Sequence, residues 1–249
     1  MLNELLLLSG NDIPFISAGV TIHPPTIKEI AYIGEEKFFK GLELLRISLD
    51  NIEVEDKSVL ETLNNFDIFM MMLRDENPMT REHSINTQMV MALLFPMYSF
   101  SIEEKRVVFF QEGEEVGELN RDNFAELQSY LVEIFLLKGK DGKSEDYNPA
   151  NELANKIANK LKRGRAKAAE QKGQDLSKVA IYSKYVSILA VGERKDMNSL
   201  LQYTVYQLMD EFQRFLLKQQ YDMHMKAQMA GATNLGEVTD WMKDLQSDT

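Results

Sequence analysis

DMNSLLQYTVYQLMDEFQRFLLKQQYDMHMKAQMAGATNLGEVTDWMKDL, residues 196–245, reads as a long amphipathic helix, a short second one, a glycine stop and a small tryptophan-bearing tail. Leu201, Val205, Leu208, Phe212 and Phe215 step by four, three, four and three, which draws a narrow apolar seam along one helix face. The seam breaks at Gln219 and Asp222, and Tyr221, Met225 and Met229 restart it on a shifted face. Gly231 suits a helix end, because glycine takes positive φ without a steric cost. Beyond it Glu237, Val238, Trp241, Met242 and Leu245 form a last amphipathic turn or two. The stem of this helix is therefore expected in the core. The tip is expected to meet a partner, through Tyr221, Met225, Met229, Trp241, Met242 and Leu245. Methionine is unbranched and polarizable, so it suits surfaces that adapt to varied apolar sequence.

Immediately upstream, a helix is expected from about Ser177 to Val191 and a basic one from about Ala150 to Gln171. Between Ala150 and Lys178 eight basic residues stand against three acidic ones, a local +5 in a chain of net charge -11. Lys156, Lys160, Arg163 and Lys167 recur at three- and four-residue spacing and so share a face. That face fits an acidic protein partner or balances the acidic body of the chain. Nucleic acid is disfavoured, because the whole chain is acidic and no aromatic residue interleaves the basic ones. Residues 140–149 (KDGKSEDYNP) are polar and rich in turn formers, which marks a linker. It separates an N-terminal α+β domain, 1–139, from a C-terminal helical domain, 150–249.

In the N-terminal domain, residues 13–25 suggest a short strand around Val20 to His23, ended by Pro24-Pro25. Thr26 and Glu29 form a T-x-x-E capping box that opens a helix. After Gly34 a second helix places Phe38, Leu42 and Leu45 on one face. Further helices are expected over about 57–73 and 81–94, with Pro96 closing the latter. Three short runs (97–102, 106–111 and 115–119) with turn-like connections predict an antiparallel β-meander. A helix follows, with Asn120 or Asp122 as candidate cap and Gly139 as its stop. The fold class is thus α+β, predominantly α-helical.

No pattern for covalent chemistry emerges. His23, His83 and His224 lack partners at metal-ligand spacing, and partly packed or surface histidines are the expectation. Adjacent carboxylates such as Glu35-Glu36 and Glu103-Glu104 point apart rather than across a cleft. No P-loop spacing occurs. With no cysteine there is neither a disulfide nor a thiolate site. The apolar run Leu5–Leu8 is too short for a signal peptide or membrane span. A soluble, intracellular, non-enzymatic chain without cofactor or metal is expected.

Three stretches carry a resemblance: TIHPPTIKEIAYIGEEKFF, NPANELANKIANKLKRGRAKAAEQKG, and YTVYQLMDEFQRF through YDMHMKAQMAGA to EVTDWMKDL. In them the chain resembles bacteriophage proteins from tail-gene clusters, the tail assembly chaperones that hold the tape-measure protein. The resemblance implies tape-measure or other tail proteins as partners and the host cytoplasm as location; the sequence leaves a homo-oligomer open. Structural baseplate, hub or neck proteins of the virion are the alternative it leaves. A nucleic-acid-associated protein using the basic helix ranks third.

Overall fold

The computed structural model describes residues 2–49, 63–75, 81–137, 181–231 and 241–242. The chain is mixed α+β, with one two-stranded and one three-stranded antiparallel sheet. It divides into two compact units: 1–137 with 202–206, and 138–201 with 207–249. The linker assigned to 140–149 and the basic face of Lys156, Lys160, Arg163 and Lys167 lie outside the described residues. Among the described residues no helix is long and apolar enough to cross a membrane.

The first unit opens with α1 (Glu4–Ser9) and a hairpin of β1 (Ile13–Phe15) and β2 (Val20–Ile22) joined by a 3₁₀ turn. The strand expected around Val20 to His23 is β2; β1 gives no separate signal, because it is only three residues long and the turn after it is itself apolar. The hairpin pairs Ile13 with Ile22 and Phe15 with Val20, all four buried. Next come α2 (Ile27–Ile33) and α3 (Glu35–Leu45). The Thr26–Glu29 capping box that starts α2 is fully formed. Phe38, Leu42 and Leu45 are buried together on α3, as their spacing requires.

Helices α4 (Asn65–Leu73) and α5 (Arg81–Leu94) follow. The first half of the helix expected over 57–73 is not among the described residues; the described part starts at an Asn64–Asp67 capping box. Helix α3 crosses α5 so closely at Gly41 that a Cβ there would lie 2.4 Å from the Asn86 carbonyl oxygen. Thr87 donates its hydroxyl to the Gly41 carbonyl at 3.2 Å.

The meander is β3 (Ser99–Ile102), β4 (Val107–Gln111) and β5 (Glu114–Leu119), in that spatial order. Its second turn carries positive φ at both Glu112 (54°) and Gly113 (90°), as the primed hairpin turns demand. Val107, Val108 and Phe109 of the central strand are all buried. Gly117 of β5 lies against the first hairpin, where a Cβ would come within 2.0 Å of the Ala18 carbonyl oxygen. Arg106 donates to Glu103, Glu115 and Glu118 at 2.8, 3.0 and 2.8 Å, tying the meander's turns together.

Helix α6 (Phe124–Ile134) closes the core. Phe124 stacks on Phe69 at 4.8 Å and meets Phe66 at 5.3 Å. Its N-cap is Asn123, without a capping side chain, rather than Asn120 or Asp122. Asn120 instead folds its side-chain oxygen back onto the amides of Asp122 and Asn123. The helix also stops short of Gly139, with Leu136 at a φ of 51°. Glu126 accepts from Ser17 and from the Tyr130 hydroxyl, which holds its carboxyl below the usual range. The same bond, helped by burial, pushes the Tyr130 phenol up to about 12.

Candidate interaction surface

The described part of the second unit is built from α7 (Tyr182–Glu193), α8 (Met197–Leu201) and most of α9 (Val205–Met229). Helix α7 buries Tyr182, Val186 and Leu189, spaced four and three apart on one face. That face meets α9 directly. Tyr185 and Phe212 pack at 4.2 Å between ring centroids. Gly192 lies so near the Phe215 ring that a Cβ would come within 2.4 Å of it.

The seam expected to run unbroken from Leu201 is interrupted. Leu201 ends α8, and α9 begins only at Val205. Thr204 forms a β-bridge with Thr26, and the Ile27 amide donates to the Tyr203 carbonyl at 2.8 Å, both within the first unit. Residues bonded in this extended way cannot continue a helix, so the turn is set by tertiary pairing. The sequence between Leu201 and Val205 contains neither glycine nor proline to announce it.

Past this interruption the seam holds. Val205, Leu208 and Phe212 are buried, with Tyr206, Met209 and Leu217 beside them, and Phe215 is half-buried. Helix α9 runs straight through Gln219 and Asp222, so the break in the seam is a change of environment and not of backbone. Leu217 is the last buried residue of the helix among the described residues. Beyond it Met223, Met225 and Met229 are exposed, Met229 to 85%. Tyr221 is half-buried. Gly231 ends the helix with a φ of 86° and donates its amide to the Gln228 carbonyl at 3.0 Å. This is the glycine stop expected from the sequence.

Two of the residues singled out at the tip, Met229 and Trp241, lie apart. Met225 and Met229 lie at the far end of α9. Trp241 instead lines a groove of about 360 Å³ beside Phe215, together with Glu193, Asp210, Glu211, Arg214 and Lys218. Met229 is fourteen residues beyond Phe215, or about 21 Å along the helix axis, so the tryptophan is set apart from it. Met242 is exposed next to Trp241. Leu245 lies outside the described residues.

Around the groove, opposite charges are paired. Arg214 bonds Asp210 at 3.2 Å one turn away, and Lys195 contacts Glu211 and, at 3.6 Å, Glu193. Such part-exposed pairs contribute little stability, about 0–1 kcal/mol each. Their consequence is shape: a slot with an aromatic wall and a charged, self-compensated rim. It suits an apolar side chain offered by a helical or extended partner better than a small charged ligand. The groove's charged residues escaped the sequence reading, because Glu193 and Asp210 become neighbours only when α7 folds onto α9.

In the first unit one cluster of titratable groups has a histidine at its centre. His23 contacts Asp12 through Nδ1 at 2.8 Å and Glu29 through Nε2 at 3.3 Å. Burial raises the Glu29 carboxyl, but the Thr26 amide and hydroxyl and His23 outweigh it and hold the group below its usual range. Among the described residues, no group of three or more His, Asp or Glu side chains could hold a metal ion.

Residues 177–246 match the family described as YomV second domain, which spans α7 to the Trp241 turn. The likeness is to a phage-associated protein. It covers under a third of the chain, and it covers the groove and the exposed end of α9 alike. No curated protein and no solved structure matches the chain. The phage-related match agrees with the bacteriophage resemblance read from the sequence, while naming neither a tail chaperone nor a partner.

Proposed function

We propose that the protein is a non-enzymatic phage tail assembly chaperone that binds the tape-measure protein during tail morphogenesis in the host cytoplasm. One observation carries this reading. The segment similar to a phage-associated domain contains a helix whose last twelve residues, Lys218 to Met229, hold no buried residue. A tape measure is a long helical chain whose apolar stripe needs temporary cover, and an exposed methionine-bearing helix end can adapt to it. The partner contacts assigned here are Tyr221, Met225 and Met229, with Trp241 at the groove and the exposed Met242 next to it in sequence.

Co-expression with the tape-measure protein tests the reading. A tagged chain is expected to retain the tape measure through purification, and Met225→Ser with Met229→Ser is expected to release it. Failure of the unaltered chain to retain it would refute the chaperone role.

A further inference from the structure

His23 stands where three elements meet. Asp12, between α1 and β1, faces Nδ1, and Glu29, from α2, faces Nε2. Helix α5 contributes the Leu94 carbonyl, which accepts from the His23 backbone amide at 2.7 Å. Ionised carboxylates only accept, so both ring bonds exist together only when both nitrogens carry hydrogen. A neutral ring keeps one. The Asp12 contact is the shorter, so the neutral ring retains that bond and turns a lone pair toward Glu29 Oε2.

That oxygen has other work. It accepts from the Thr26 amide at 2.7 Å and from the Thr26 hydroxyl at 2.8 Å. Thr26 in turn bridges Thr204, and the neighbouring Ile27 amide donates to the Tyr203 carbonyl. We propose that His23 is a proton-dependent latch that fixes residues 202–206 to the start of α2. Protonation secures Glu29 on Thr26 and so the strap. Loss of the proton sets a lone pair against that carboxylate and loosens the attachment. The downward displacement of the Glu29 carboxyl fits this, since it keeps the group an ionised acceptor.

The latch is independent of the chaperone role, because its readout lies wholly within the first unit. The test is amide hydrogen exchange of the full-length chain between pH 5 and 8, resolved at Ile27 and corrected for the intrinsic rate at each pH. Ile27 protection is expected to fall about two- to fivefold as pH rises, the range of a part-exposed ion pair. Val108, on the central strand of the meander, is expected to stay unchanged as control. In His23→Gln, and equally in Glu29→Gln, the pH dependence at Ile27 disappears. A wild-type profile at Ile27 parallel to that of Val108 overturns the proposal, and this needs no variant to fold. So does a pH dependence that survives His23→Gln or Glu29→Gln.

Discussion

Helix α9 is one unbroken rod of 25 residues, yet its two halves live in different surroundings. From Val205 to Leu217 it buries Leu208, Met209 and Phe212, and a glycine on α7 admits the Phe215 ring. From Lys218 to Met229 nothing is buried among the described residues, although three methionines are present. Backbone continuity and burial are thus separate properties. The proximal half forms because it is packed. The distal half extends it, since adding a residue to an existing helix costs far less than nucleating one. A helix end held in this way has a face to offer without disturbing the unit that carries it.

The sharpest way to break this contrast is Phe212→Ala. Truncating a buried phenylalanine costs about 3–5 kcal/mol, so thermal or urea unfolding should show a large loss; a loss under 1 kcal/mol would mean the proximal half is not core. Gly192→Ala comes next. The new Cβ would meet the far end of the half-buried Phe215 ring, which must shift; overpacking costs about 1–3 kcal/mol, of which the helix preference for alanine over glycine returns about 1 kcal/mol. A gain of the full helix-propensity increment, with no packing cost, would show that α7 does not close on α9 as described. Smallest is the distal pair, Met225→Ser with Met229→Ser. Exposed substitutions lie within about 0.5 kcal/mol, so the unfolding curve should hardly move while partner retention is lost. Loss of stability comparable to Phe212→Ala would erase the distinction between the halves.

Acid titration extends the same contrast between partnered and solvated groups to the first unit. Burial raises the Asp67 carboxyl, but the Arg121 guanidinium and the Asn64 amide outweigh it and leave it below its ordinary value. Arg121 donates through Nε at 2.7 Å. A carboxyl lowered by folding stabilises above its unfolded value and loses that contribution as pH falls through the folded one. Stability should therefore decline as pH drops below about 4, and Asp67→Asn should remove part of that decline. Identical acid curves for both proteins would deny the pair any role.

How much of this could be read from residues alone follows from the range of the interactions involved. The capping box at Thr26, the α3 face, α5, the meander and the Gly231 stop are all local in origin, and all appear in the sequence. The stem-and-tip division of α9 was legible too, because the seam breaks where burial ends. What stayed hidden depends on distant partners. Thr204 leaves helical geometry because it pairs with Thr26, 178 positions earlier. Trp241 looked continuous with Met229 and instead lies at the groove beside Phe215. The His23 cluster joins three elements whose meeting no spacing rule expresses.

The chaperone role is tested most directly by mass spectrometry of purified virions, asked only whether this chain is present. A chaperone acts before the tail is complete and leaves, so the chain should be absent from mature particles while abundant in infected-cell lysate. Its presence at stoichiometric level in the virion would contradict that role and make it a structural protein of the baseplate, hub or neck.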